Sequence, residues 1–573
     1  MLERKVFTVL RNPRISVLKR KFKHLERFHF YNDDDYDDHK IHLIIGAGDT
    51  ARIKLKGFRT GNDGEAIAEE TIFGWTVMGP GQSTSDCLYF TKSTNDCYKE
   101  LYSLDVLDLE DQSEGSQNEV YEEFKEQLQQ DSTSFYHTGL PWKEECSKLA
   151  SYSDGSISRL HSLLRKLEKK PNDLISYNAI IQEQLKDGTI EYAQKKPTGK
   201  RIFYMPHRVV IKEDSETTKL RIVFDASAKK YESPSLNDCL HIGPSLQPLL
   251  LNIILQNRLQ PVCLTGYIKQ AFLQIRVDNK DCDVFRLYWI SDLKSKEVIT
   301  LRFTRIPFGC ASSPFILGGV IKQHLLTYEK NYPHKKNKVQ IINKGIYVDD
   351  IITGGVELEC VEKMKQTAIH LFKKGGFQLH KWHSNFPVLE TNDLKENYHE
   401  VTINEQNKRY SKILGLLWDK NEDTLLMDCR PTRQTNITTK RGVLESLARV
   451  FDPLGIISPI TQTAKLIYRK ICDLKFAWDE KLSPELTKEW MLWKNTLQDL
   501  TPIPRSKTVL NQLIKKIEIH GFGDASKDGC CSAIYVVVHQ GNKVTQGLFT
   551  AKSRILKRGY FIPRLELISG HGS

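Results

Sequence analysis

Two carboxylates sit side by side at Asp349 and Asp350, inside GIYVDDIITGG at residues 345–355. The flanking residues are apolar and strand-like, so the pair is expected at the tip of a hairpin. Adjacent carboxylates repel, and the arrangement costs stability unless a positive charge sits beside them. Magnesium is the natural partner, because it takes hard oxygen ligands and bridges them to phosphate oxygens. Two such ions, roughly 3.5–4 Å apart, would activate a hydroxyl nucleophile and stabilise the leaving group of a phosphoryl transfer. A lone acidic pair is more often a solvated surface turn, so the surrounding sequence has to decide between the two readings. A second candidate acid, Asp524, follows a strand-like run in IEIHGFGDASKDGCCSAIYVVV at residues 517–538, read as two strands around a Gly-Asp turn.

The elements that would hold these residues are legible in outline. Ile157, Leu160, Leu163, Leu164 and Leu167 recur at three- and four-residue spacing, one face of a helix that Pro171 breaks. Leu174, Ile180, Ile181 and Leu185 mark a second helix, ending near Gly188. RIFYMPHRVVIK and KLRIVFDAS read as strands joined by a polar turn at EDSETT. Strands and helices then alternate to about residue 385, an α+β layout. Helical stretches return in RGVLESLARVF and TQTAKLIYRKICDLKF, and a last α/β segment begins at 516. Near the N-terminus, IHLIIG and TIFGWTVMG read as short strands.

The chain has 573 residues, enough for three or four domains, and an apolar share of 40%. It contains no apolar run long enough to span a membrane and no signal peptide is read at the basic start. The twelve cysteines form no CxxC pair, which argues against a zinc site and for a reducing compartment. The net charge of +12 is uneven. Residues 105–131 carry ten acids and one lysine, so the remainder sums to +21. Residues 193–230 hold ten Lys/Arg against four acids, a pattern that suits a polyanion and equally a solvated basic face. Residues 80–138 are read as an acidic linker whose composition suits a segment without fixed structure.

Five segments in order carry a family resemblance. Tyr-Val-Asp-Asp resembles the polymerase motif of reverse transcriptases. TRIPFGCASSPFIL (304–317) resembles their segment for template base and incoming nucleotide, with Gly309 and Ser312 as small residues that let backbone approach a base pair. RIVFDASAK with SLND (235–238) resembles their fingers, and the resemblance puts Arg221 on the triphosphate, which guanidinium geometry suits. GGFQLHKWHSN (375–385) and ILGLLW (413–418) follow. With YMPHRVV and FDPLGIISP (451–459), these segments resemble the Bel-Pao branch of long-terminal-repeat retrotransposons, over about residues 41–569.

The resemblance implies an α+β right-hand polymerase with fingers, palm and thumb, a truncated ribonuclease H-like α/β segment at the C-terminus, and a short β-rich protease remnant at the N-terminus. The expected domains are 1–79 (remnant of the aspartic protease region), 80–138 (linker), 139–390 (fingers and palm), 391–512 (thumb and connection) and 513–573 (ribonuclease H-like). It further implies an RNA template, a DNA primer, deoxynucleotides, Mg2+ held by Asp349 and Asp350, and other parts of a polyprotein as partners, with no membrane. Cytoplasmic virus-like particles, with the DNA product entering the nucleus for integration, would be the location.

One position departs from the family. Its members carry a metal-binding aspartate in a pattern like LTADIKQAFLQI, and here the segment is LTGYIKQAF, with Tyr267 at the aspartate. Phe272 falls at the aromatic that excludes a 2′-hydroxyl. A neutral phenol cannot replace a carboxylate near pH 7, so the polymerase is expected to be impaired or inactive. A decayed copy, a sequence error and rescue by another acid are the three explanations, the first preferred; Asp278, eleven residues on, is expected to lie well away. Non-catalytic nucleic-acid binding is the alternative function. In the ribonuclease H-like segment the resemblance makes Asp524 and Glu566 metal ligands, with further ligands beyond residue 573, so no ribonuclease activity is expected of this chain alone. An aspartic peptidase is the least favoured reading: no Asp-Thr/Ser-Gly signature occurs, Asp49 is a poor substitute, and residues 400–573 show no nucleophile-base constellation.

Overall fold

The computed structural model describes residues 22–25, 54–60, 67–72, 74–78, 114–144, 146, 149–211, 220–390, 409–434, 438–497, 500–555 and 566. The chain divides into two units, Met1–Gln112 and Ser113–Ser573. In the first, β1 (Lys54–Arg59), β2 (Ile67–Thr71) and β3 (Gly74–Met78) form an antiparallel sheet in that order. TIFGWTVMG thus contributes the end of one strand and all of the next, whereas IHLIIG and Asp49 lie outside the described residues.

The second unit opens on a correction. Part of the expected acidic linker is a helix, α1 (Glu114–Gln127). Val120 and Phe124, four residues apart, are buried, and the Phe124 ring lies 5.2 Å from that of Phe315. Glu119, Glu122, Glu123 and Glu126 face solvent. Two apolar side chains on one stripe suffice to seat a helix whose remaining surface is charged. Tyr136–Thr138 then pairs in parallel with Ile275–Val277.

Helix α2 (Ser153–Leu167) buries Leu160, Leu163, Leu164 and Leu167. Pro171 is the first residue of α3 (Pro171–Lys186), a position where its missing N–H costs nothing. Strands β4 (His207–Ile211) and β5 (Leu220–Phe224) form an antiparallel pair. Residues 201–206, expected to extend the first of these strands, make only an isolated bridge at Tyr204.

The centre of the unit is a four-stranded antiparallel sheet. After α4 (Leu250–Arg258) comes β6 (Val262–Ile268), whose residues are almost all buried. Helices α5 (Ser313–Asn331) and α6 (Lys336–Lys344) lead to the hairpin of β7 (Ile346–Tyr347) and β8 (Asp350–Gly355), then to α7 (Leu358–Lys374) and β9 (Leu379–Ser384). The sheet order is β7-β8-β6-β9, and α7 packs against β6, β8 and β9. No helix among the described residues is long and apolar enough to cross a membrane.

A second core gathers around Trp418, Trp490 and Trp493. It joins β10 (Tyr410–Ile413), β11 (Leu416–Asp419) and β12 (Thr424–Asp428) to α8 (Lys440–Ala448), α9 (Ser458–Asp473), α10 (Pro484–Thr496) and β13 (Leu500–Pro504). Arg505, fully buried, fixes this core to the first. Its Nε and Nη2 donate to the Asp423 carboxylate at 2.6 and 2.7 Å, and its Nη atoms to the carbonyls of Asn257, Gln260 and Pro261. The last sheet is β14 (Ile514–Ala525), β15 (Gly529–Gln540) and β16 (Lys543–Ile555), antiparallel throughout. Val536, Val538 and Phe549 seat it against Leu255 and Leu259.

Candidate active site

The hairpin of β7 and β8 turns in two residues. Tyr347 pairs with Asp350, leaving Val348 and Asp349 as the turn. Val348 has φ 56°, a conformation that suits glycine and strains a β-branched side chain. Such strain, on the order of 1–3 kcal/mol, persists only where the surroundings over-determine it. Here the Val348 N–H donates to Oε1 of Gln247 at 2.9 Å, and the Asp349 carbonyl accepts from the Ile268 N–H at 2.9 Å.

Strand register decides what faces the acids. Asp350 lies directly opposite Tyr267 on β6, and Tyr267 lies opposite His380 on β9. Paired residues share a face, so Tyr347, Asp350, Tyr267 and His380 form one row across the four strands. Both carboxylates are half-buried. Burial pushes Asp349 above the usual carboxylate range, while Asp350 is pushed up to about 7, by burial first and by the charge of Asp349 second. His383, whose ring lies 6.4 Å from that of Tyr267, is pushed down to about 4 by burial and then by Lys420. It is neutral near pH 7 and supplies no offsetting charge. The Tyr267 hydroxyl donates to the Lys412 carbonyl at 3.4 Å.

Two carboxylates at the hairpin tip, with the Tyr267 phenol across from Asp350, offer few oxygen donors for a pair of magnesium ions. No group of three or more His, Cys, Asp or Glu side chains able to hold a metal occurs among the described residues. The residues present therefore do not fit a complete two-metal site. Asp278 offers no third acid on this row: it sits just past Ile275–Val277, its N–H donating to the Thr138 carbonyl, within 3.5 Å of Lys280.

The other expected residues are arranged around the loop at 307–312. Phe272 is buried, its ring edge-on to Phe308 at 4.9 Å. Gly309 has φ 95°, and a Cβ there would meet the Phe224 carbonyl oxygen at 2.4 Å, so the loop lies tight against β5. Arg221 is exposed on β5, opposite Val210. Ser312 is wholly buried, its hydroxyl 3.3 Å from the Cys310 sulfur.

One residue of SLND does more than its motif position indicated. Asn237 Nδ2 donates to Ser227 Oγ at 2.8 Å and to the Gly309 carbonyl at 3.3 Å, and its Oδ1 accepts from the Ala311 N–H at 2.8 Å. It clasps the FDAS segment to the 307–312 loop. Only the clustering of two turn-like motifs in the sequence pointed that way, and nothing there identified the asparagine. Gln247, in an unremarked stretch, carried no signal at all.

In the last sheet Asp524 is exposed and sits within β14, paired with Cys531. The strand runs through the expected Gly-Asp turn, and the chain reverses at Ser526–Asp528 instead, where the Ser526 N–H donates to the Gly529 carbonyl. Glu566 is helical and exposed.

Residues 439–571 match the family model of the Pao retrotransposon-like RNaseH-like domain. That segment of the chain is thus related to Pao-type retrotransposons. It runs from the start of α8 past the end of β16. No curated protein matches the chain. Among solved structures, a foamy viral protease-reverse transcriptase in complex with double-stranded DNA superposes with a TM-score of 0.45 at 14% identity, over 89% of this chain and 79% of that one. The foamy viral protease-reverse transcriptase in complex with RNA/DNA hybrid gives 0.43 at 12% identity, over 88% of this chain and 61% of that one.

Proposed function

We propose that this chain is the reverse-transcriptase portion of a Pao-type retrotransposon polyprotein, an RNA-directed DNA polymerase whose nucleotidyl transfer is impaired at Tyr267. The observation that supports the reading is the register of Asp350 against Tyr267. The position at which the family motif has an aspartate lies directly across from the acidic turn, so an aspartate there would complete a three-carboxylate site. In this reading the four-stranded sheet is the palm, the β4–β5 pair belongs to the fingers, and the tryptophan-centred core is the thumb and connection. Arg221 would hold the triphosphate, Phe272 would gate the sugar, and magnesium would serve a completed site.

Primer extension on an RNA template with Mg2+ tests this. A missing ligand worth ~4 kcal/mol of transition-state stabilisation corresponds to about a thousandfold in rate. Tyr267→Asp is expected to extend the primer faster than the parent chain by about that factor, and Tyr267→Asp with Asp349→Asn to lose the gain. Equal extension by the parent and Tyr267→Asp would mean that residue 267 is not in the metal site.

A second reading, non-catalytic binding of nucleic acid, is favoured by the same tyrosine. It predicts binding that weakens steeply with salt, together with no extension by either chain.

A further inference from the structure

The acidic turn is held in a conformation that its own sequence disfavours, and one side chain from a distant loop does part of the holding. Gln247 lies one hundred and one positions before Val348 in the chain, in the loop that precedes α4. Its Oε1 accepts the Val348 N–H at 2.9 Å. A two-residue hairpin closes its ladder between Tyr347 and Asp350, so the Val348 N–H points away from that ladder and needs a partner from elsewhere. The residue so held is the one at φ 56°. The amide also has room made for it: a Cβ on Gly318 of α5 would come within 3.1 Å of Gln247 Nε2 and 3.4 Å of Leu246 Cβ. Gln247 and Gly318 line the same cavity, about 430 Å³, which reaches Ile346 at the foot of the hairpin.

We infer that Gln247 is a positioning residue for the carboxylates of Asp349 and Asp350, acting through the backbone of the turn. The role rests on the polymerase reading only for its catalytic consequence. From one side the turn is anchored by β6, through the Ile268 N–H and the Asp349 carbonyl. From the other it is anchored by Gln247. With the glutamine acceptor gone, a strained valine and an unsatisfied amide both favour release, and the turn samples other backbone states. The strand pairs on either side, which make their own hydrogen bonds, stay in place.

The test separates this inference from the polymerase reading. Amide hydrogen exchange, resolved to single residues by fragmentation, is measured on the chain as it stands, on Gln247→Met (similar length, no acceptor) and on Gln247→Glu (acceptor retained). Loss of one hydrogen bond to a half-buried amide is expected to speed exchange at Val348 by about tenfold in Gln247→Met. The amides of β6 and of Ile351–Thr353 should keep their protection, and Gln247→Glu should exchange at Val348 as the parent does. In the Tyr267→Asp background, Gln247→Met is expected to lower kcat by about the same factor with the nucleotide KM little changed. Unchanged exchange at Val348 in Gln247→Met overturns the inference, and so does a rise spread equally over the whole sheet, which would make Gln247 a general packing residue. A Tyr267→Asp chain that fails to extend a primer counts against the polymerase reading alone, because the exchange result still decides the role of Gln247.

Discussion

Replacing Asp350 with asparagine should stabilise the protein by an amount that grows as pH rises from about 4 to about 7. An ordinary aspartate releases its proton near pH 4, whereas Asp350 in the fold releases it near 7. Between those values the folded chain holds a proton that the unfolded chain has lost, so stability falls as pH rises through the window and levels off above about 7. Three pH units correspond to roughly 4 kcal/mol at most. Partial exposure and the shared field with Asp349 reduce this, and a gain of about 1–3 kcal/mol at pH 7.5 is the working figure. Asparagine keeps the shape and carries no charge, so the gain should vanish at pH 4. Urea unfolding of parent and Asp350→Asn at pH 4 and 7.5, with chelator present, measures both numbers. An Asp350→Asn chain no more stable than the parent at pH 7.5, or equally stabilised at both pH values, would refute the argument that burial and Asp349 together penalise the ionised form.

Two further outcomes follow from the same structure. Asn237→Ala should cost about 1–3 kcal/mol, because one side chain serves three hydrogen bonds; exchange should rise in peptides covering 307–312, and Asn237→Asp, which keeps the acceptor for Ala311, should fall between. Arg505→Met should cost about 3–5 kcal/mol in urea unfolding, since it strands the Asp423 carboxylate and several buried carbonyls; a loss under 1 kcal/mol would show that water replaces the guanidinium.

Much of the local structure was legible in the residues. The leucine spacing at 160, 163, 164 and 167 located α2, because a stripe at helical period has one way to be buried. The apolar arms around Asp349 and Asp350 located the hairpin. The helix at 114–127 is not legible in the acidic stretch, because Val120 and Phe124 are a thin apolar signal among many charges and Phe315, against which Phe124 packs, is distant in sequence. That Ser312 is wholly buried was not legible, because a small polar residue in a motif does not report the packing around it.

By itself, then, the sequence located many of the helices and strands and placed two adjacent carboxylates at the tip of a hairpin. The tertiary structure decided that Asp350 faces Tyr267 across a strand pair and that its proton is held to about pH 7. It alone decided that Gln247 and Asn237 hold loops far from them in sequence. The physical reason is range. Periodicity reports contacts within a helix or strand, whereas burial, charge fields and side-chain hydrogen bonds across a hundred residues depend on which surfaces the folded chain brings together.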